Sequence, residues 1–591
     1  MSEKFENLLN LALETDEAVR EQTNDLNVGY MQEENAWEVI VKYHGDIRFL
    51  ENFGIRVEEL IAGYGILTVP AEQVERLALV EEIEYVEKPK RYYFEEELPV
   101  ENSCIYPVAL GEKALTGMDN VIAVLDSGID YRRQEFRKED GSSRILYLWD
   151  QTLTGDDGDM APEGFAIGVE FTKEQLDLAL QEDEAEGFAR VPSRDVSGHG
   201  TAVAGIAAAG RVRMEDGRVY QGVAPESQLI VVKLGAPMEG GFPRTTEIMR
   251  AVTYAVRKGI QLQKPVVINL SFGNSYGSHD GSSLIERFLD NASEIGRTVI
   301  CVGAGNEGDS GGHFAGDIRA EREVEIAVGE YEGSLSIQLW KQFGDVYEIR
   351  LQAPNNRVIS LSDAVNGGKQ EFIINETRVL VYWGEPKPYS VLQEIYFELV
   401  PMGGVNYIAS GIWKLEMVPI RVVTGKFDCY LPASEARGSR TNFLRATPEM
   451  TLTVPSTSSK IVTVGAYNAS FEQYAAFSGR GLAEISMGNS LTIAGLIKPD
   501  IVAPGVDIVA PDVRGGFRRV TGTSFATPIV SGSVALLMEW GITRGNDRYL
   551  YGEKVKAYLR RGAQPLRGEN VYPNERVGFG KLCVKESFND K

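Results

Sequence analysis

Over the first hundred residues, apolar and polar positions alternate in short bursts. "AWEVIVKY" (36–43) has the period of two expected of a strand with one buried face, and "GIRVEELIAGYGILTVP" holds two further short extended runs. "AEQVERLALVEEI" carries helical spacing, and "EYVEKPKRYYF" returns to strand. The pattern predicts a small α+β unit over residues 1–97, followed by an acidic, proline-containing linker, "EEELPVENSCIYP".

From residue 120 the alternation stops. "NVIAVLD", "QLIVVKL", "PVVINLSFG" and "RTVICVGAGNEG" are continuous apolar runs, as in strands of a parallel sheet buried on both faces. The helical patterns "GTAVAGIAAAG" and "TEIMRAVTYAVRKG" fall between them, which is βαβ organisation. Between 317 and 450 alternation returns in "SLSIQLW", "VYEIRLQ", "RVLVYWG" and "IYFELVP", separated by turn residues, and an inserted β-sandwich is expected there. The buried-strand style resumes at "SSKIVTVGAYN" and "IKPDIVAPG". The expected division is 1–97, 98–316, 317–450 and 451–591, with the second and fourth pieces forming one α/β domain.

After the last buried strand comes "VTGTSFATPIVSG" (520–532), which opens a helix with Ile529, Val530, Val534, Ala535, Leu537 and Met538 at helical spacing. Ser531 and Gly532 are small enough for close packing. Pro528 is expected in the first turn, where its missing amide costs nothing. Ser524 then sits at the helix mouth, either as a cap or as a nucleophile supported by free amides.

Composition narrows the class of protein. A chain of 591 residues with 43% hydrophobic content has material for several cores. A net charge of −25 argues against nucleic acid or an anionic membrane as partner. The four cysteines (Cys104, Cys301, Cys429, Cys583) are scattered without CxxC spacing, so neither a disulfide framework nor a zinc site is expected. The start, "MSEKFENLLNLALETDEAVRE", lacks an apolar signal region, and no stretch is expected to approach the apolar length of a membrane span. The expected location is inside a cell.

A serine nucleophile needs a base and an acid that orients it. Of four histidines, only His199 opens a helix of small residues, "SGHGTAVAGIAAAG", where Gly198 and Gly200 are expected to make room for a substrate backbone. Asp126 closes the run "VIAVL", at the carboxyl end of a strand, where open α/β sheets build their sites. Asn306 follows "VGAG" and could donate its amide to a developing oxyanion together with the Ser524 backbone. Capping or turn roles compete with each of these readings taken singly.

Taken together, "DSGI", "HGTAVAG", "GNEG", "KPDIVAPG" and "GTSFATP" resemble the motifs of subtilisin-type serine proteases, in their order along the chain. The resemblance covers about 120–310 and 452–590. It implies a subtilisin-like parallel sheet with helices on both faces and a triad of Asp126, His199 and Ser524, with Asn306 in the oxyanion hole. It also implies that Ser271, Phe272 and Gly273 pair with a peptide substrate, while Gly303 and Gly305 form one wall of the P1 pocket. The leader resembles a subtilase propeptide, an α+β, ferredoxin-like prodomain that binds across the active site. With no signal sequence, an intact triad and an inserted β-domain, the chain is similar to the Csp family of clostridial spore-germination proteases. That likeness implies a jelly-roll insert, self-cleavage around Tyr92–Pro99 with the prodomain retained, and limited cleavage of a cortex-hydrolase precursor in the cytoplasm or spore. A general degradative subtilase and a non-catalytic signalling relative are the alternatives. No cofactor is expected. Subtilases often bind calcium, and the loop 156–159 and Asp195 have suitable oxygens, but no metal residue is assigned.

Overall fold

A computed structural model describes residues 3–23, 25–90, 103–105, 113–155, 161–214, 217, 219–235, 243–362, 368–481 and 497–588. At its centre is a nine-stranded sheet. Its order is Gln473–Tyr474, Val462–Asn468, Thr298–Gly303, Val266–Leu270, Val121–Asp126, Gln228–Lys233, Ile145–Asp150, Val169–Thr172, with Ile501–Val506 also on Val462–Asn468. The inner pairings are parallel, and the two edge strands run antiparallel. Continuous apolar runs are explained by burial on both faces. In Val121–Asp126, Ile122 and Val124 pack under helices His199–Ala208 and Thr523–Met538, while Val121, Ala123 and Leu125 face helices Thr245–Leu262 and Leu284–Ala292. The first two helices touch closely: a Cβ at Gly532 would lie 2.6 Å from Val223 Cβ and 2.8 Å from Ala207 O. Even an added methyl would overpack this seam.

The N-terminal unit is an antiparallel sheet in which Ala36–Tyr43 pairs with Tyr64–Pro70, Tyr30–Met31 and Ile83–Glu87. Ala71–Leu79 forms a 3₁₀-helix where α-helical spacing suggested an α-helix, and Asn7–Glu14 is a helix that the sequence reading did not identify. Ile40, Leu60, Tyr64, Ile66 and Tyr85 of this unit share one core with helices Thr245–Leu262 and Leu284–Ala292. Charges seal the same contact. Arg250 Nη2 donates to Glu38 Oε2 at 2.6 Å and Arg250 Nε to Glu58 Oε2 at 3.1 Å. Burial alone would raise the Glu38 pKa, but Arg250 and Arg244 outweigh it and hold the carboxyl down at about 2. At the end of the unit, Lys90 O accepts from Thr245 N at 2.7 Å and Lys90 N donates to Thr245 Oγ1 at 2.9 Å.

Between the two stretches of the α/β domain lie two antiparallel sheets that share one core, including Ile337, Leu339, Ile349, Phe397, Trp413 and Leu415. The larger sheet runs His313–Asp317, Lys426–Tyr430, Leu335–Gln342, Leu392–Pro401, Thr377–Trp383, Gly368–Ile374; the smaller runs Val358–Ser362, Val346–Gln352, Gly411–Arg421, Glu323–Val328, Asn442–Phe443. The N-terminal unit touches this insert too, with Asn7 Nδ2 donating to Glu394 Oε2 at 2.9 Å.

Two expectations are corrected. Cys104 and Cys583 form a disulfide, their Cα atoms 4.9 Å apart across 479 residues of sequence, while Cys301 and Cys429 are free and buried. Spacing carries no trace of the pair because the fold alone makes them neighbours, beside a bond from Val584 N to Ser103 O. In addition, Thr523–Thr543 is long and apolar enough to span a membrane by composition, but 89% of its most apolar window is buried inside the protein. It is a core helix, apolar all round.

Candidate active site

The carboxyl end of a central strand delivers Asp126, and the start of a helix delivers His199. Asp126 is the last residue of Val121–Asp126, fully buried, and its Oδ1 lies 2.7 Å from His199 Nδ1 and accepts from Ser127 N at 2.8 Å. That pairing places the His199 proton on Nδ1 and leaves Nε2 as the basic nitrogen. His199 is the first residue of its helix. Gly200 has a different task from the one expected: a Cβ there would meet Gly128 O at 2.2 Å and Asp126 Cβ at 3.1 Å. The glycine lets the histidine's helix close on the aspartate's strand rather than making room for substrate.

Ser524 is the second residue of Thr523–Met538, whose cap is Gly522, so the serine is not the capping residue. Its helix mouth lies beside the base, since the Phe525 ring centroid is 5.1 Å from that of His199. Ser524 Oγ donates to Ser271 O at 3.2 Å. Pro528 falls beyond the first turn, contrary to expectation, and is the residue whose N–H would bond Ser524 O four positions back. Ser271 Oγ supplies that bond instead, at 3.0 Å, and is itself held by Asn269 Nδ2 at 3.0 Å. Asn269 Oδ1 accepts from Ser531 Oγ at 2.9 Å. The proline frees a carbonyl, and a neighbouring strand uses it to fix the serine.

Asn306 Oδ1 accepts from Thr523 N at 3.1 Å and Thr523 Oγ1 at 3.3 Å, which turns its NH₂ into the donor end of a fixed amide. Gly305 N donates to Thr523 Oγ1 at 3.2 Å, tying the loop that follows Thr298–Gly303 to the same helix mouth. A Cβ at Gly303 would meet Thr523 Oγ1 and Thr527 Oγ1, each at 3.2 Å. Phe272 is buried with its ring centroid 6.2 Å from that of His199, and Gly273 abuts Thr453. All nine residues singled out from sequence therefore lie around the mouth of the Thr523–Met538 helix and the adjoining strand ends.

The sequence reading missed how the site is held. Asp195 Oδ1 accepts from Gly198 N at 2.9 Å and Ser127 Oγ at 2.8 Å, and Oδ2 accepts from Thr201 N at 2.8 Å and Oγ1 at 2.7 Å. Ser127 Oγ in turn accepts from Gly200 N at 2.9 Å. Both Asp195 oxygens are thus engaged in joining the aspartate's strand to the histidine's helix. A carboxylate four residues before a helix-opening histidine is the signal that could have found it. The loop 156–159 lies outside the described residues, and among the described residues no cluster of three or more potential metal ligands occurs.

Comparison with known proteins agrees with this geometry. The model for the subtilase family matches residues 117–368 and 438–580, and that for the Csp protease B prodomain matches residues 3–90. The chain belongs to the subtilase family, a family of serine endopeptidases, and its N-terminal unit is a prodomain. More particularly, it is similar to the CspB protease of Clostridium perfringens, with 33% identity, a TM-score of 0.73, and coverage of 82% of this chain and 95% of that one. It is 24% identical over 498 residues to the minor extracellular protease Vpr of Bacillus subtilis (strain 168), covering 80% of this chain and 52% of the relative. The PIII-type proteinase of Lactococcus lactis subsp. cremoris (strain SK11) is 23% identical over 526 residues, covering 80% and 25%. The chain spans about half the length of the first of these two relatives and less of the second.

Proposed function

We propose that the protein is a serine endopeptidase that removes its own prodomain, retains it, and then performs limited proteolysis of a protein precursor. Ser524 attacks the scissile carbonyl while His199 Nε2 takes the hydroxyl proton and passes it to the leaving amine. Asp126 holds the tautomer and stabilises the imidazolium. The Asn306 amide and the Ser524 backbone N–H bind the oxyanion, a donor of this kind being worth about 10²–10³ in rate. Ser271, Phe272 and Gly273 pair with the substrate as an added strand, and Gly303 and Gly305 line the P1 pocket.

The single observation carrying this reading is the 2.7 Å contact of His199 Nδ1 on buried Asp126, beside the helix mouth that presents Ser524. We further read the chain as prodomain 1–97, catalytic domain 98–316 and 451–591, and a jelly-roll insert 317–450. The match to the Csp protease B prodomain and the similarity to CspB support a cortex-lytic zymogen as the precursor, cut during spore germination, and a cytoplasmic or spore location. The contacts of the prodomain on both the catalytic core and the insert favour restricted cleavage over bulk turnover.

The proposed self-cleavage region, Tyr92–Pro99, lies outside the described residues. The test is expression of wild type and Ser524→Ala side by side, followed by denaturing electrophoresis. Wild type should run as prodomain plus mature fragment and Ser524→Ala as full length. A folded wild type that stays intact refutes the proposal.

A further inference from the structure

The chain returns from the insert to the catalytic sheet through residues 444–454, and three rings hold that return. Tyr430 is the cross-strand partner of His313 in the larger insert sheet. Its ring lies between two imidazoles, with centroids 4.5 Å from His313 at 18° and 3.9 Å from His279 at 10°. His279 belongs to the catalytic domain, between Val266–Leu270 and Leu284–Ala292, and all three rings are buried. Each ring meets one carbonyl of the returning segment. His313 Nδ1 is 3.3 Å from Thr447 O, Tyr430 Oη donates to Met450 O at 3.2 Å, and His279 Nδ1 is 2.6 Å from Leu452 O. The other ring nitrogen of His279, Nε2, lies 3.2 Å from Ser275 O, and burial pushes the ring's pKa down to about 4.

Directly beyond those carbonyls the segment becomes part of the cleft. Thr453 N donates to Ala304 O at 3.0 Å, and Val454 and Asn274 exchange backbone bonds at 2.8 Å and 3.0 Å. The Thr453 side chain fills the space between the two sides: its Oγ1 lies 2.2 Å from where a Cβ on Gly273 would sit, and its Cγ2 lies 2.5 Å from one on Gly305. A shift of Thr453 therefore moves the segment Ser271–Gly273, which follows strand Val266–Leu270, against the loop carrying Gly303–Gly305.

We propose that the His313–Tyr430–His279 stack is a positioning element through which the β insert sets the width of the substrate cleft, governing how tightly a peptide binds and not the chemistry at Ser524. This rests on the protease reading above. Two stacked pairs, at the usual worth of aromatic contacts, correspond to roughly a tenfold change in affinity.

The test uses the full chain with Tyr430→Leu, Tyr430→Phe, His279→Asn and the Tyr430→Leu/His279→Asn double variant. Asparagine tolerates the left-handed backbone at position 279 (φ 51°). The readouts are kcat and KM on a fluorogenic peptide copying residues 88–99, and the rate of fluorophosphonate labelling of Ser524. Tyr430→Leu, which removes both pairs, should raise KM about tenfold and His279→Asn, which removes one, about threefold to fivefold, with kcat and labelling within about twofold of wild type. Tyr430→Phe keeps the stack, loses only the bond to Met450 O, and should raise KM by less than about twofold. The double variant should be no worse than the worse single, because the rings act as one unit. An unchanged KM in either single variant, equal losses from phenylalanine and leucine, or additive losses in the double variant would overturn the proposal. The two singles disrupt the stack from opposite domains, so misfolding of one leaves the other informative. A wild type that never labels refutes the protease reading, and this inference with it; a wild type that labels while KM ignores the stack refutes the inference alone.

Discussion

Removing one hydroxyl, in Ser271→Ala, probes how the nucleophile is held. Ser524 O lacks the amide that Pro528 cannot provide and takes Ser271 Oγ at 3.0 Å instead, while Asn269 Nδ2 gives its own bond to that same oxygen at 3.0 Å. All three residues are fully or almost fully buried. The substitution leaves one carbonyl and one amide group orphaned, each costing about 1–3 kcal/mol, so about 2–6 kcal/mol is expected in total. Pro528→Ala restores a backbone N–H aimed at Ser524 O. In that background, Ser271→Ala should cost about 1–2 kcal/mol less, the Asn269 share remaining. The assay is urea unfolding of the four proteins of this cycle, all carrying Ser524→Ala so that proteolysis does not intrude. If Ser271→Ala costs the same with and without Pro528, the serine hydroxyl is not replacing the missing helix bond, and the reasoning is wrong.

Asp126→Asn should lower kcat on a peptide by about 10³–10⁴ through loss of the tautomer lock and of imidazolium stabilisation, and a loss under tenfold would contradict the assigned role. Arg250→Ala breaks the Glu58 pair in the prodomain contact and leaves Glu38 with Arg244 alone, at a cost of about 3–5 kcal/mol for a broken buried pair. The cleaved prodomain should then separate from the mature fragment on size exclusion, whereas co-elution as in wild type argues against this anchor. Glu394 is buried against the prodomain, and burial raises its pKa from 4.5 to about 7. The folded state binds this proton more tightly than the unfolded chain does, so the associated stability is present below about pH 4.5 and is lost as pH rises through 7. Glu394→Gln should flatten the decline in melting temperature between pH 5 and 8, on the order of 2 kcal/mol, and an identical decline in both proteins would exclude Glu394 as its source.

The buried strands and the neighbourhood of Asp126, His199 and Ser524 were legible in the sequence because their signals are local. A run such as "VIAVLD" reports burial on both faces by itself, and a histidine or serine that opens a helix of small residues is marked by its immediate neighbours. The supporting contacts were not legible. Ser271 serves Ser524 across 253 positions, and nothing in "LSFG" shows that a proline elsewhere has freed a carbonyl. Cys104 and Cys583 meet only once the two stretches of the α/β fold close on each other, and the rings of His279 and Tyr430 only once the inserted sheets pack against it. Pro528 was placed one turn too early because helix starts are blurred by glycines such as Gly522, which can cap without a side chain. Residues Ala71–Leu79 have the apolar spacing of an α-helix, yet they wind as 3₁₀ with Val74 and Leu77 buried, and periodicity alone does not separate the two helix types.

Whether Asp126, His199 and Ser524 work as one nucleophilic unit is tested most directly by treating the protein with a fluorophosphonate and mapping the modified residue by peptide mass spectrometry. The account predicts a single phosphonylated site at Ser524, abolished by His199→Ala. Modification at another serine, or labelling of Ser524 that is indifferent to His199, would contradict it.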